Sequence, residues 1–129
     1  MASEQEQDKP AETPGTRYYP QAGGFGFQAT FDTRQVGRNW QQNPGRTAIS
    51  LDQGGNCVDA DDWIEVHLFW DGPGPVWQEI GTPQRIPCRT GGTAAFDVGG
   101  DGPDWYWLEL WAAYPGVQDR HITGNVSYP

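Results

Sequence analysis

Basic residues are scarce in this chain. Lysine occurs once, at Lys9, and all eight basic residues face 17 acidic ones in 129, giving a formal charge of −9. Such a chain repels phosphate backbones and anionic headgroups, so neither nucleic acid nor an anionic membrane surface is an expected partner. The preference for arginine over lysine reads as GC-rich coding and points to a bacterial source. It carries no chemistry.

Long apolar runs are also missing. None reaches the roughly 18 residues that span a bilayer, so membrane insertion is not expected. No signal peptide is visible. Met1-Ala2-Ser3 reads as an expression remnant, and the expectation is a mature secreted chain without its leader.

Metal-binding and catalytic patterns are absent. There is no CxxC, HExxH or GxSxG, and Gly23-Gly24-Phe25-Gly26 precedes a strand pattern, which a phosphate loop would not. Histidine is limited to His67 and His121. With Glu65 one strand step from His67, zinc is conceivable by residue type. Two histidines on separate strands with no cysteine ligand read better as polar strand positions. Asp97, Asp101 and Asp104, and separately Asn56, Asp59, Asp61 and Asp62, have the composition of calcium loops but not the EF-hand spacing. Aspartate and glycine are also ordinary turn residues. No metal and no cofactor is therefore expected. Asn125-Val126-Ser127 matches a glycosylation sequon, which means little in a bacterial protein.

Cysteine occurs only at Cys57 and Cys88. An even count in a small, loop-rich chain predicts one disulfide and an oxidising, extracellular setting.

Residues 1–16 are Glu/Gln/Pro/Thr/Gly-rich, with no aromatic residue and no large aliphatic one after Met1. They cannot bury enough apolar area to offset ordering entropy and read as a flexible acidic tail. From Arg17 the pattern becomes short apolar runs between turn residues, supplied by 18 glycines and 11 prolines. Phe25, Phe27, Ala29 and Phe31 alternate, as do Thr47, Ile49 and Leu51. Residues 32–46 are polar, with the turn signal Asn43-Pro44-Gly45, and read as a connection. In Trp63–Trp70, Ile64, Val66, Leu68 and Trp70 share one face. Asp71-Gly72-Pro73-Gly74-Pro75 reverses the chain. Val76–Ile80 and Gln84–Cys88, interrupted by Pro83 and Pro87, read as two weak edge strands. Strands at 93–98, 105–114 and 121–128 follow. No amphipathic helix appears. The fold expected is all-β: a single-domain antiparallel β-sandwich of about seven or eight short strands, residues 17–129, with one disulfide. A closed barrel is the alternative.

The abundant feature is aromatic: seven tryptophans, five tyrosines and five phenylalanines. With a period of two, Trp105, Trp107, Glu109 and Trp111 share one face, and Tyr106, Leu108 and Leu110 the other. Trp63, Glu65, His67 and Phe69 likewise oppose Ile64, Val66 and Leu68. A one-sided core needs one apolar face per strand. The second face either packs beneath another layer or presents aromatic residues to something outside. If the two rows coincide, indoles surround carboxylates, a surface suited to a polypeptide partner or to sugar rings.

These readings combine into an expectation of a secreted, non-catalytic binding or adaptor module. It would dock onto another extracellular protein through this aromatic face or a sheet edge, with the N-terminal arm as a second contact. A carbohydrate-binding module is the alternative. Remoter readings are a protease inhibitor and a small glycoside hydrolase using Glu65 and Glu109 as its carboxylate pair.

Overall fold

The structure, a computed structural model, describes residues 22–129. The tail expected at 1–16, and the boundary at residue 17, lie outside the described residues.

The described chain is an all-β sandwich without helix. Its strands are β1 (Gly23–Phe31), β2 (Arg34–Val36), β3 (Trp40–Gln42), β4 (Gly45–Leu51), β5 (Trp63–Asp71), β6 (Trp77–Pro87), β7 (Gly92–Val98), β8 (Asp104–Ala112) and β9 (Arg120–Tyr128). One antiparallel sheet runs β1-β9-β4-β7. The other runs β2-β8-β5-β6, with β3 also on β8.

Alternation sets which side chains meet between the sheets. Phe25 is opposite Val126 and Ala29 opposite Ile122 on β1 and β9. Ile49 faces Ala94 on β7. From the second sheet, Ile64, Val66 and Leu68 of β5 and Tyr106, Leu108 and Leu110 of β8 complete the core. These are the inward residues the alternation predicts.

Two local readings need correction. Residues 32–46 are not a plain connection: they contain β2 and β3, and they bury Trp40 and Gln42 in the core region. Three-residue strands are too short to alternate visibly. The two weak strands at 76–88 are one eleven-residue strand, β6. Between Val66 and Leu68 on β5, only His67 intervenes, but Gly81, Thr82 and Pro83 intervene on β6. This bulge absorbs Pro83, which has no N–H for the ladder. Gly81 lies at φ 65°, where a side chain is disfavoured. β6 is an edge strand, as its prolines imply.

The β6/β7 side of the sandwich is closed by a side chain. Gln84 Nε2 donates to the Ala95 carbonyl at 2.5 Å, and Ala95 N donates to Gln84 Oε1 at 3.2 Å. The amide thus imitates a neighbouring strand at the open edge of β7. One end is pinned by the Cys57–Cys88 disulfide, with Cα atoms 6.0 Å apart and a sequence separation of 31. A loop of that length contributes about 3–4 kcal/mol in the chain-entropy account.

A buried ion pair holds the same end. Arg120 Nε donates to Asp62 Oδ2 at 2.9 Å, and both side chains are fully buried. Arg120 Nη1 donates to the carbonyls of Asp32, Tyr114 and Gln118. One guanidinium therefore ties the start of β9 to three loops.

Candidate functional site

The outer face of the β2-β8-β5-β6 sheet gathers the side chains the core does not use. The register places Glu65 opposite Trp111, His67 opposite Glu109, Phe69 opposite Trp107 and Asp71 opposite Trp105. All eight residues singled out in the sequence, Trp63, Glu65, His67, Phe69, Trp105, Trp107, Glu109 and Trp111, therefore share one face. No described strand lies over it.

β6 adds residues that sequence reasoning missed. Arg85 is opposite Glu65, Glu79 opposite Phe69, and Trp77 opposite Asp71. β2 adds Arg34, opposite Trp111. The signal for Trp77 was present: the Asp71–Pro75 reversal closes a hairpin, with Gly72 N donating to the Val76 carbonyl at 2.9 Å. Counting back from that turn pairs Trp77 with Asp71.

With Trp77, five of the seven tryptophans stand on this face, leaving Trp40 and Trp70 on the core side. The opposite outer face, on β1, β9, β4 and β7, presents Gln28, Thr30, His121, Thr123, Asn125, Ser127, Ser50 and Thr93. Among the described residues it carries no tryptophan, tyrosine or phenylalanine. The aromatic surplus of the described residues is confined to one side.

The rings stack on one another. His67 and Trp111 have centroids 3.9 Å apart, Phe69 and Trp107 5.1 Å apart at an interplanar angle of 17°, and His67 lies nearly parallel to Phe69. Trp77 meets Phe69 edge-on. The Arg85 guanidinium covers Trp63 at 3.9 Å. His67 is only 3% exposed and Phe69 6%, whereas Trp77 is 60% exposed.

The polar groups are paired within the face. Trp107 Nε1 and Trp111 Nε1 each donate to one oxygen of Glu109 at 3.0 Å. His67 lies between two carboxylates, with Nδ1 2.7 Å from Glu79 and Nε2 2.9 Å from Glu65. Arg85 Nε donates to the other Glu65 oxygen at 3.2 Å. Burial pushes the Glu65 carboxyl up, but the hydrogen bonds and charges of His67 and Arg85 outweigh it and hold the group below its ordinary value.

Several other arrangements are not formed. His67 and His121 lie on different sheets and do not meet. His121 Nδ1 instead lies 3.1 Å from the Thr30 hydroxyl. Among the described residues, the sole cluster with metal-ligand spacing is Cys57, Asp62 and Cys88, and its sulfurs are consumed by the disulfide. Asp97 is on β7 beside Arg46, and Asp62 is committed to Arg120. Glu65 and Glu109 do share a face. A glycosidase acid needs a raised pKa, and the lowered Glu65 carboxyl speaks against that role for Glu65 alone.

The carboxylate shifts carry a pH prediction. In Asp62, burial pushes the carboxyl up, but the Arg120 hydrogen bond, the Val58 N–H and the Arg120 charge bring it below its ordinary value. Groups lowered on folding stabilise the protein above their unfolded values, about 3.9–4.3 for Asp and Glu. That stability is lost as pH falls through the folded values. Urea midpoints should fall steeply as pH drops below about 4. Asp62→Asn should flatten that acid limb.

No protein-family model matches this sequence, and no curated protein is significantly similar to it. The chain therefore stands on its own geometry: a disulfide-bonded β-sandwich with one aromatic, internally hydrogen-bonded face. Among the described residues, no helix is long and apolar enough to cross a membrane.

Proposed function

We propose that this protein is a secreted, non-catalytic binding module that docks onto another extracellular protein through the outer face of its β2-β8-β5-β6 sheet. The observation that carries this reading is the confinement of five tryptophans to that face. Tryptophan, tyrosine and arginine are the usual anchors of protein interfaces. A rigid ring array loses little entropy on binding, and paired charges cost less to desolvate than free ones. The disulfide supports an oxidising compartment.

The ring geometry favours a polypeptide over a sugar. A pyranose lies flat on an open indole face. Here one face of Trp111 is stacked on His67, Phe69 and Trp107 stack together, and Trp63 lies beneath Arg85. What stays most open is Trp77, near the β5–β6 hairpin.

The test uses immobilised full-length protein beside its Trp77→Ala and Trp107→Ala variants, exposed to native culture fluid, with a glycan array in parallel. The expected result is one stoichiometric protein retained by the parent and lost from both variants. A glycan signal sensitive to the same substitutions, with no protein retained, would replace this reading with the lectin one. Trp107→Ala should weaken partner binding by about 2 kcal/mol or more, as anchor residues do. Its stability cost should stay near 1–2 kcal/mol, from one stack and one N–H bond. Urea melts and titration of the captured partner measure the two separately.

A further inference from the structure

We propose that β1 is a strand-addition site, which takes an extended segment of a partner protein as a tenth strand and seats its alternate side chains in the cleft between the sheets. This site is distinct from the aromatic face and does not rest on that reading.

The argument begins with the sheet edges. An uncovered edge offers a row of unpaired N–H and C=O groups, and proteins ordinarily blunt it with proline, bulges, charge or shortness. β6 carries Pro83, Pro87 and a bulge. β7 is capped by the Gln84 amide. β2 and β3 are three residues long. β1 has none of these devices. It is nine residues, GGFGFQATF, with no charge, no proline and no break in its register with β9. Among the described residues, its backbone bonds to β9 alone.

The second observation is independent. Directly beside β1 the sandwich opens into a cleft of about 610 Å³. Phe25, Phe27 and Ala29 form one wall, and Leu108 and Leu110 of β8 form the floor. Phe25, Phe27 and Ala29 point inward yet remain only partly buried. On the β6/β7 side the equivalent gap is closed. The open side thus combines an edge that no described strand pairs with and an apolar slot beside it. That pairing defines strand addition: the ladder supplies affinity and the slot selects every second side chain.

Charge narrows the occupant. Among the described residues, the one charged side chain lining the cleft is that of Arg38, whose guanidinium lies 4.0 Å over the Phe25 ring. On a chain of charge −9, this uncharged strip with an arginine at its rim fits an extended segment that is apolar at alternate positions and acidic at the end near Arg38.

The probe is a capped nine-residue peptide with alternating valine and threonine and one terminal glutamate, added to the full-length protein. On binding, alternate amides of Gly23–Phe31 should gain at least tenfold protection from hydrogen exchange. N-methylating the peptide amides of one parity should weaken binding at least tenfold, and of the other parity leave it unchanged, because a ladder uses alternate amides. Ala29→Phe, which fills the slot, should weaken the peptide at least tenfold with a thermal midpoint within a few degrees of the parent. Absence of protection, or equal effects of both methylation patterns, overturns the proposal. So does protection of the outward β1 amides without peptide: in the monomer it would assign the edge to the chain's own N-terminal residues. If it rises with protein concentration, it would assign the edge to a second copy.

Discussion

Arg120→Met should lower the unfolding free energy by about 3–5 kcal/mol, the usual cost of breaking a buried ion pair by removing one partner. The guanidinium is fully buried and donates to both Asp62 oxygens, at 2.9 and 3.3 Å. Its removal leaves an uncompensated carboxylate and takes a donor from the carbonyls of Asp32, Tyr114 and Gln118. Arg120→Met combined with Asp62→Leu should recover part of the loss, since the stranded charge is gone. The recovery stays partial because the three carbonyls still lack their donor. Urea melts at pH 7 measure both, with the slope of the transition unchanged. A cost below about 1 kcal/mol for Arg120→Met, the level of an exposed pair, would show that the loops at this end reorganise to solvate Asp62.

Trp40→Ala should cost a similar amount, about 3–5 kcal/mol, through lost transfer energy and a cavity. Trp40 is 3% exposed. It packs edge-on against Phe25 at 5.4 Å and stacks on Tyr128 at 6.3 Å. Its indole N–H donates to Gln42 Oε1 at 2.8 Å, and that oxygen also accepts the Thr47 hydroxyl at 3.0 Å. Trp40→Phe should retain much of the packing and lose one buried hydrogen bond, a further cost of about 1 kcal/mol. Trp107→Ala removes the same side chain from the other side of the sheet. Its main effect should appear in partner binding. Comparing the two variants in one denaturation series separates tryptophans that build the fold from those available for docking.

The strand pattern was readable wherever a strand is long and one of its faces meets the core. Phe25 to Phe31, Ile64 to Trp70 and Tyr106 to Leu110 alternate because burial on one side imposes a period of two. The disulfide was readable because two cysteines leave one pairing. β2 and β3 were not readable, because three residues cannot display a period. β6 looked like two strands because its bulge resets the phase at Gly81–Pro83. Trp40 was hidden for the same reason as β3: no neighbouring pattern marks it as buried.

The candidate face was half legible. Each row on β5 and β8 could be read alone, but coincidence of the rows depends on which strands are neighbours and in what register. That is decided by long-range pairing, which a local pattern does not encode. Whether those aromatic residues were core or surface was also undecidable from alternation, since a strand apolar on both faces is consistent with either. The sequence by itself determined an all-β, acidic, disulfide-bonded domain with more aromatic side chains than one core needs, because composition and period are local properties. Only the tertiary structure decided where the surplus goes, that Trp77, Glu79 and Arg85 join it, and that β1 stands beside an open cleft. Those outcomes follow from which strands become sheet edges and how the two sheets close on each other, both of which are properties of the whole assembled chain.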